Sequence, residues 1–410
     1  MPQHLPPAFA APGFARLWLT TLFTWWSWFL VSLTQGWLML QITDSPAWVG
    51  LAVGVRGLSL TVFSVAGGAI ADRVDRRRLL VAATGFGLTL MLATAALIAG
   101  GGLRPWHLLA LMGLMGVLAA VERPTSAGLM YDLVGPERLL NASAVRLMGF
   151  SIVQALSGLV GGFVLARWSA TNNLLLAAAG YAGAVFCAAG LRRPSQAMHA
   201  VESFVDTVAA GLRYTVRTRP IRLLLLLSLI VEGFGFAYIA MFPVMARDVL
   251  DVGGFGLGLL TAAAGAGTLV ATTAMALRPR APRAIRLMLA AALAFGTCIA
   301  LFGFSRWFTF AVGVVVLAQA SGTLYDVTMY AVLVRTASDA MRGRVLGFFS
   351  STTGFSHLGG VLIGVVAVPL GAPAAITISG ALTAAGATVL GLRLRTLEPR
   401  QEEHAAPKKA

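Results

Sequence analysis

The hydrophobic pattern of the chain is a series of long apolar stretches separated by short polar breaks. A membrane-spanning helix needs about twenty mainly apolar residues, and about twelve stretches reach that length. They lie near 15–42, 47–71, 79–100, 106–128, 142–166, 172–191, 220–246, 255–277, 283–303, 306–331, 343–366 and 373–394. The pattern predicts an all-α integral membrane protein with twelve transmembrane helices.

Basic residues concentrate in every second polar break. The clusters lie at 73–78, 192–193, 213–222, 278–286 and 335–344, and the tail after 392 is basic as well. Because Lys and Arg accumulate in cytoplasmic loops, we expect both termini and the even-to-odd loops to be cytoplasmic. The net charge of +15 therefore reflects membrane orientation rather than a nucleic-acid surface, and no nucleic-acid partner is expected.

The composition agrees with this interpretation. Hydrophobic residues make up 58% of the chain and charged residues 11%, whereas soluble domains are about one quarter charged. Cys187 and Cys298 both lie in apolar stretches, so they predict no disulfide scaffold. We expect a monomeric, multi-pass protein of the cell (inner) membrane, with the lipid bilayer around it.

Pairs of glycines recur at a nearly constant offset. The second and eighth stretches begin with matching pairs 204 residues apart, and the fifth and eleventh contain pairs 202 residues apart. These are Gly50/Gly54 with Gly254/Gly258, and Gly158/Gly162 with Gly360/Gly364. Small residues four apart let helix backbones approach closely in lipid, and inverted or parallel repeats are typical of transporters. The offset predicts a duplicated six-helix unit and four glycine-mediated helix contacts.

The longest internal break, 192–219, divides the two predicted halves. Its apolar residues, Val201, Phe204, Val205, Val208 and Leu212, recur at helical spacing opposite charged ones. This favours an amphipathic helix along the cytoplasmic face. We therefore expect a bundle at 1–191, a linker at 192–219, a second bundle at 220–394 and a tail at 395–410.

The break between the second and third stretches carries a motif. It reads Gly68-Ala-Ile-Ala-Asp72-Arg73-Val-Asp75-Arg76-Arg77-Arg78. This resembles the G-x-x-x-D-R-x-G-R-R motif of the major facilitator superfamily, with Asp75 in place of the second glycine. The altered form is similar to the branch that includes enterobactin and macrolide exporters. Similar motifs follow at Gly135-Pro-Glu-Arg-Leu-Leu-Asn141-Ala, Phe242-Pro-Val-Met-Ala-Arg247-Asp248 and Met341-Arg342-Gly343-Arg344-Val-Leu-Gly347.

The resemblance implies a twelve-helix fold of two pseudo-symmetric halves and a transport function in the direction of export. The fifth stretch lies where antiporters of the superfamily carry G-x-x-x-G-P-x-x-G-G. Here Ser157 and Gly158 replace its Gly-Pro pair, while Gly161 and Gly162 remain. The resemblance therefore favours export and leaves antiport open.

The motif places charged residues at helix ends where the helix dipole disfavours them. A carboxylate at the C-terminal end of the second helix is repelled by that helix's dipole, as are Arg342 and Arg344 at the start of the eleventh. The resemblance implies that Asp72 meets this helix start and closes the cytoplasmic side. We expect a cytoplasmic latch of Asp72 and these two arginines, supported by Gly68, Arg73, Arg76 and Arg77. The alternative is a solvated positive loop.

Two ionisable residues lie at membrane depth, where charge is costly and usually functional. Glu232 lies near the middle of the seventh stretch, which suits a proton-coupling site or a counter-ion for a cationic substrate. A permanently neutralised carboxyl is the alternative. Arg56 lies in the outer half of the second stretch and is expected to bind an anionic group or pair with an acid.

Four further residues lie within the predicted helices. Glu122 and Arg123 fall in the cytoplasmic third of the fourth helix, and Asp326 matches Glu122 at an offset of 204 residues. Charge costs less near the interface, so we interpret these three as members of intramembrane ion pairs. His357 is either a proton relay or a hydrogen-bonded residue of the bundle.

These features favour a secondary active transporter of small molecules. The first hypothesis is a proton-coupled exporter of amphiphilic molecules such as drugs, macrolides or siderophores, working by alternating access. The alternative is an importer or facilitator of an anionic metabolite that uses Arg56. Metal-ligand clusters, nucleophile motifs and phosphate-binding loops are missing from the sequence, so we expect no enzyme, no metal and no cofactor, with the proton gradient as energy source.

Overall fold

The computed structural model describes residues 6–191, 212–277, 284–338 and 341–395. Within these ranges the protein is almost entirely helical and contains no β-strand. In chain order the helices are α1 (Phe14–Thr43), α2 (Pro46–Arg73), α3 (Arg76–Ala99), α4 and α5 (the limbs 105–134 and 136–167 of Pro105–Arg167), α6 (Ala170–Ala189), α7 (Arg219–Val249), α8 (Gly253–Leu277), α9 (Ala284–Gly303), α10 (Phe308–Thr336), α11 (Arg342–Thr352 with 354–370) and α12 (372–395).

Nine helical segments of the described chain are long and apolar enough to span a membrane. Two of them, Pro105–Arg167 and Arg342–Leu394, are more than fifty residues long and contain an interruption. Helix α1 has 30 residues but is not among the nine, because its threonines, serines and tryptophans lower its hydropathy. The predicted amphipathic helix of the linker lies mostly outside the described residues, which include only 212–217 of it as helix.

Two glycines interrupt the long segments. Gly135 has φ 68° and ψ 173°, and Gly371 has φ 80° and ψ 155°. Residues with a side chain rarely adopt positive φ, whereas glycine adopts it at little cost. Pro136 directly after Gly135 suits the first position of a new helix, where a missing N–H is harmless. The polar break expected over 129–141 is therefore a single residue, and most of its motif belongs to α5.

Helix α7 departs from regular α geometry near its middle. A π-helical turn covers Val231–Gly235 and a 3₁₀ turn covers Phe236–Met241. The Ser379 hydroxyl donates a hydrogen bond of 2.5 Å to the Phe234 carbonyl oxygen, which the irregular backbone leaves accessible. Gly359 of α11 packs against the Gly233 carbonyl group from the other side. Such π-helical turns occur frequently at functional sites, and this one contains Glu232.

Helix contacts early in the chain recur later with equivalent partners. Gly67 of α2 packs on the backbone of α4 at Ala120, as Gly267 of α8 packs on α10 at Ala320. Helix α6 packs against α1 and α3, and α12 packs against α7 and α9. Large apolar side chains such as Phe186 remain exposed on the outside, where the lipid bilayer covers them.

Candidate functional site

A cavity of about 390 Å³ lies among eight helices. Its lining comes from α1, α2, α4 and α5 on one side and from α7, α8, α10 and α11 on the other. We call these the N wall and the C wall. Five ionisable residues singled out by the sequence line this one space: Arg56, Arg123, Glu232, Asp326 and His357. A volume of this size suits a drug-sized molecule.

Arg56 lies on the N wall and is held by α1. Its Nη1 donates a hydrogen bond of 2.8 Å to Ser32 Oγ, and its guanidinium carbon lies 4.5 Å from the centre of the Trp28 ring. Both contacts leave the charge uncompensated, because a hydroxyl and an aromatic face are neutral. Arg123 lines the cavity on the same wall. The N wall therefore presents positive charge.

Aromatic rings extend along the N wall from Trp28. Trp28 packs edge-on against Phe29 at 4.8 Å between centroids, and Phe29 packs against Phe150 at 5.3 Å. Phe150 then packs edge-on against Trp25 at 5.1 Å. Arg146 lies 5.4 Å from the Trp25 ring, so the series has a guanidinium at each end. We call these four rings the aromatic strip.

The C wall carries the carboxyl groups. Glu232 is 5% exposed, and the Asp326 Oδ1 atom is buried with no hydrogen-bond partner among the described residues. The two carboxyls are close enough to interact electrostatically, and Tyr325 is near both. Beside them, Gln319 accepts a hydrogen bond of 3.2 Å from the Tyr238 hydroxyl. The C wall therefore presents negative charge or neutralised acid.

His357 enters the cavity from α11 but packs against α2. A Cβ atom built on Gly57 would lie 2.8 Å from His357 Cδ2, so only glycine leaves room for the ring. The ring Nδ1 lies 3.5 Å from Ser356 Oγ. The charged groups that interact electrostatically with the His357 ring are Arg56 and Arg123, not the carboxyls of the C wall. The geometry thus associates His357 with the N wall charges.

Glu122 is placed differently from the matching Asp326. It is buried, 8% exposed, and does not line the cavity, and its charged neighbours are Arg146 and Arg123. The described residues include no ion pair within 4.0 Å for Glu122, Arg123 or Asp326. The intramembrane ion pairs expected from the sequence are therefore not formed as direct contacts in this structure, and two of the three residues face the cavity instead.

Helix α2 runs from Pro46 to Arg73, so Asp44 and Asp72 mark opposite ends of the molecule, which we call the Asp44 end and the Asp72 end. At the Asp44 end the glycine pairs bring backbones into contact across the cavity. A Cβ atom on Gly364 would lie 2.8 Å from the Pro46 carbonyl oxygen, and one on Gly158 would lie 2.6 Å from Ala262 N. The pairs concerned join α2 to α11 and α5 to α8: Gly50, Gly54, Gly360, Gly364, Gly158, Gly162, Gly254 and Gly258.

Arg247 adds a polar contact at the Asp44 end. Its guanidinium pairs with Asp44, donates a hydrogen bond of 3.0 Å to the Leu40 carbonyl oxygen and contacts Asp248 at 2.5 Å. Asp44 and Leu40 belong to the end of α1, whereas Arg247 belongs to the end of α7. The two walls are therefore joined at this end by an ion pair as well as by packing.

The Asp72 end is open. Residues 61–66 of α2 are all exposed, so neighbouring helices cover this stretch only in part. Cβ atoms built on Gly68, Gly343 and Gly347 would meet no atom within 4 Å. Since the Asp44 end is packed and this end is splayed, the cavity is accessible from the Asp72 end.

The residues of the predicted latch lie at this open end. The Asp72 side chain is 61% exposed and pairs at 3.2 Å with Arg76, which also pairs at 2.8 Å with Asp132 of α4. Arg77 donates a hydrogen bond to the Ala189 carbonyl oxygen, and Arg342 Nε donates one of 3.1 Å to that of Val334. Arg344 lies beside Met341, and Arg73 is exposed. The arginines thus brace the ends of neighbouring helices.

Three features of the site were not anticipated from the sequence. Arg146 lies four residues into its predicted apolar stretch, a position typical of a residue at the membrane interface. The sequence therefore did not predict that it packs on Trp25 inside the bundle. Gln154 and Gln319 line the cavity, but they are uncharged and were therefore not identified from the sequence. The pairing of Arg247 with Asp44 joins residues 203 apart in sequence, and only their opposite charges in two loops on the same side of the membrane hinted at it.

Comparison with solved structures shows the fold. A mutant of the nucleoside transporter NupG matches with a TM-score of 0.74 and 16% identity over 94% of this chain and 99% of that one. A bacterial homolog of the human lysosomal transporter Spinster matches with a TM-score of 0.74 and 14% identity over 96% and 98%. The all-helical transporter fold expected from the sequence is thereby confirmed.

Sequence comparison gives closer relatives. The chain is 26% identical over 365 residues to the enterobactin exporter EntS of Shigella flexneri, covering 86% of this chain and 84% of that protein. The EntS protein of Escherichia coli O127:H6 (strain E2348/69 / EPEC) is 26% identical over 367 residues. Together with the helices that are long and apolar enough to span a membrane, these exporter relatives indicate that the chain is a multi-pass transporter of the bacterial inner membrane and not an enzyme. The family model described as "Transmembrane secretion effector" matches residues 5–409. The chain therefore belongs to the transmembrane secretion effectors of the major facilitator superfamily.

Proposed function

We propose that the protein is a proton-coupled exporter of small amphiphilic molecules. The observation that carries this proposal is the pair of Glu232, which is buried, and Asp326, whose Oδ1 atom is buried, on one wall of a cavity that is closed at one end and open at the other. Charge at membrane depth is costly and marks transport pathways. The relatives named as enterobactin exporters support the direction of transport.

The orientation follows from the loop charges. Arginine-rich breaks follow α2 and precede α11 at the Asp72 end, so we assign this end to the cytoplasm. Counting α1 and dividing the two long segments at Gly135 and Gly371 gives twelve spans with both termini cytoplasmic. The recurring helix contacts support two bundles, 1–191 and 220–394. The structure then corresponds to a state open to the cytoplasm.

Alternating access requires the closed end to open and the open end to close. In our proposal the glycine contacts of α2 with α11 and of α5 with α8 separate, together with the pair of Arg247 and Asp44. At the opposite end Asp72 approaches the start of α11. The exposed position of Asp72 beside an open cytoplasmic entrance is compatible with a latch that forms only in the other state.

The coupling step uses the C wall carboxyls. A proton or a cationic substrate group neutralises the same charge, so in our proposal the two alternate at Glu232 and Asp326. Protons enter from outside when that side is open and leave to the cytoplasm when it is closed. His357 of α11 contacts α2 and interacts with Arg56 and Arg123. We propose that substrate binding at these arginines is transmitted to α11 through His357.

Accumulation of dyes, antibiotics and siderophores in efflux-deficient bacteria tests the proposal. Cells that express the protein are expected to accumulate at least about threefold less of some compound than empty-vector cells, and a protonophore is expected to remove the difference. Equal accumulation across a broad panel, with the protein shown in the membrane, would contradict export.

The second candidate is an importer of an anionic metabolite. It is favoured by the uncompensated charge of Arg56, which lies in the cavity and makes only neutral contacts with the part of the chain that the structure describes. This candidate predicts increased uptake of an anionic compound by expressing cells, with loss of that uptake in Arg56→Gln. The direction of net movement in the same panel separates the two functions.

The latch makes a separate prediction. Asp72→Asn is expected to reduce export severalfold, because the uncharged amide cannot hold the start of α11 when the cytoplasmic side closes. Stability is expected to change by less than about 1 kcal/mol, since the pair of Asp72 with Arg76 is exposed. Export and thermal unfolding are measured together, with Asp251→Asn, an exposed residue of the other end, as control. Export at the normal rate would rule out the latch.

A further inference from the structure

The ionisable residues of the cavity are separated by sign. Arg56 and Arg123 come from α2 and α4 of the N wall, whereas Glu232 and Asp326 come from α7 and α10 of the C wall. The described residues form no ion pair within 4.0 Å between these arginines and carboxyls, although all four line the same space. The cavity therefore has a positive side and an acidic side.

Unpaired charge at this depth is unfavourable for the empty protein. A buried charge that lacks a partner has lost its hydration without compensation, and a complementary ligand group recovers part of that cost. Among the described residues, Arg56 has only a hydroxyl and an indole face as partners, and Asp326 Oδ1 has no hydrogen-bond partner. A molecule that placed an anionic group beside Arg56 and a cationic group beside Asp326 would satisfy both walls at once.

The aromatic strip indicates the chemical nature of the scaffold that carries the two charged groups. Trp28, Phe29 and Phe150 line the cavity on the same wall as Arg56, and they form one continuous packed series. Phe236 lines the opposite wall and packs on Phe295 at 4.8 Å. Aromatic faces on both walls favour a flat, aromatic ligand through stacking and burial of apolar area.

We propose that the site takes flat aromatic zwitterions, whose anionic group contacts Arg56 and Arg123 and whose cationic group contacts Asp326 and Glu232. This rests on the proposed function in that the cavity is taken as the substrate site. It narrows the substrate class within amphiphilic molecules: the zwitterion binds more tightly than the same scaffold with either charge removed.

Four forms of one scaffold test the charge requirement by calorimetric titration of the purified protein. Ciprofloxacin carries a carboxylate and a piperazinium on a flat ring system. Its methyl ester keeps only the cation, its N-acetyl form keeps only the anion, and the N-acetyl methyl ester is neutral. We expect ciprofloxacin to bind at least about tenfold more tightly than each of the other three.

Variants assign each charge to its wall. Arg56→Gln is expected to remove the preference for ciprofloxacin over its methyl ester and to leave the preference over the N-acetyl form. Asp326→Asn is expected to do the reverse. Arg306→Gln and Asp251→Asn, both exposed and outside the cavity lining, serve as matched controls and keep both preferences.

The outcomes separate this proposal from the proposed function. Equal binding of the methyl ester and ciprofloxacin by the unaltered protein would overturn it without any variant, and so would failure of all four compounds to bind up to about 1 mM. Even then, export of other compounds in the accumulation panel would still support the proposed exporter function. Conversely, the expected binding pattern without proton-dependent export would keep the zwitterion site and reject the exporter.

Discussion

Glu232→Gln is expected to abolish proton-driven export while leaving substrate exchange intact. Glutamine has the shape of a protonated glutamate but cannot release the proton, so the variant behaves as a permanently neutral carboxyl at the π-helical turn of α7. In inverted vesicles, substrate uptake driven by a pH gradient is expected to fall at least about tenfold. Exchange of labelled for unlabelled substrate without a gradient requires no net proton movement and is expected to persist, because Asp326 remains on the C wall to bind the cationic group.

The control for this variant is Asp251→Asn, which removes an exposed carboxyl from the loop before α8. Asp251 has φ 50°, a conformation that asparagine also tolerates, so the backbone is preserved. Normal gradient-driven uptake by Glu232→Gln would contradict the assignment and leave Asp326 as the remaining candidate on the C wall. Loss of exchange together with gradient-driven uptake would instead show that Asp326 alone does not bind the substrate.

Gly158→Val is expected to block closure of the Asp44 end and to stop transport. A Cβ atom at Gly158 would lie 2.6 Å from Ala262 N and 2.8 Å from the Gly258 carbonyl oxygen. Both neighbours are backbone atoms of α8, which cannot move aside as a flexible side chain would, so the helices must separate. The variant therefore favours the state that is open at the Asp44 end, and export is expected to fall at least about tenfold.

Cysteine labelling measures this shift directly. In a background without Cys187 and Cys298, a cysteine at Ala240 reports access to the cavity lining. Labelling by a membrane-impermeant reagent added outside intact cells is expected to be about tenfold faster with Gly158→Val than without it. Gly313→Val is the matched control, since a Cβ atom there would meet no atom within 4 Å. Unchanged labelling together with normal export would show that this contact does not govern closure.

The helical stretches were predictable because membrane burial depends on hydropathy along the chain. The predicted stretches at 47–71 and 172–191 nearly coincide with Pro46–Arg73 and Ala170–Ala189. The break before α5 was predicted as a loop but is only Gly135, because a glycine with positive φ followed by Pro136 turns the chain without further residues. The irregular course of α7 was not visible, since Gly233 and Gly235 are also compatible with a regular helix.

Charged residues of the cavity lining could be identified from the sequence, whereas neutral lining residues and distant partners could not. Arg56, Glu232 and His357 stand out in apolar stretches because each is costly at membrane depth. Burying the uncharged side chain of Gln319 costs less, so the sequence did not identify this residue as a candidate, although it lines the same cavity. The interpretation of Asp326 followed its sequence match with Glu122, yet only Asp326 faces the cavity. An offset of 204 residues relates two helices but does not specify how each is rotated about its axis.

The sequence by itself determined that the chain is an all-helical membrane protein of a transporter superfamily with ionisable residues at membrane depth. Local hydropathy, loop charge and short motifs suffice for that, because each depends on neighbours along the chain. Only the tertiary structure decided that arginines and carboxyls line opposite walls, that Arg247 joins α7 to Asp44, and that one end is closed. These properties depend on helix rotation and on contacts between distant residues, which packing of the whole bundle sets.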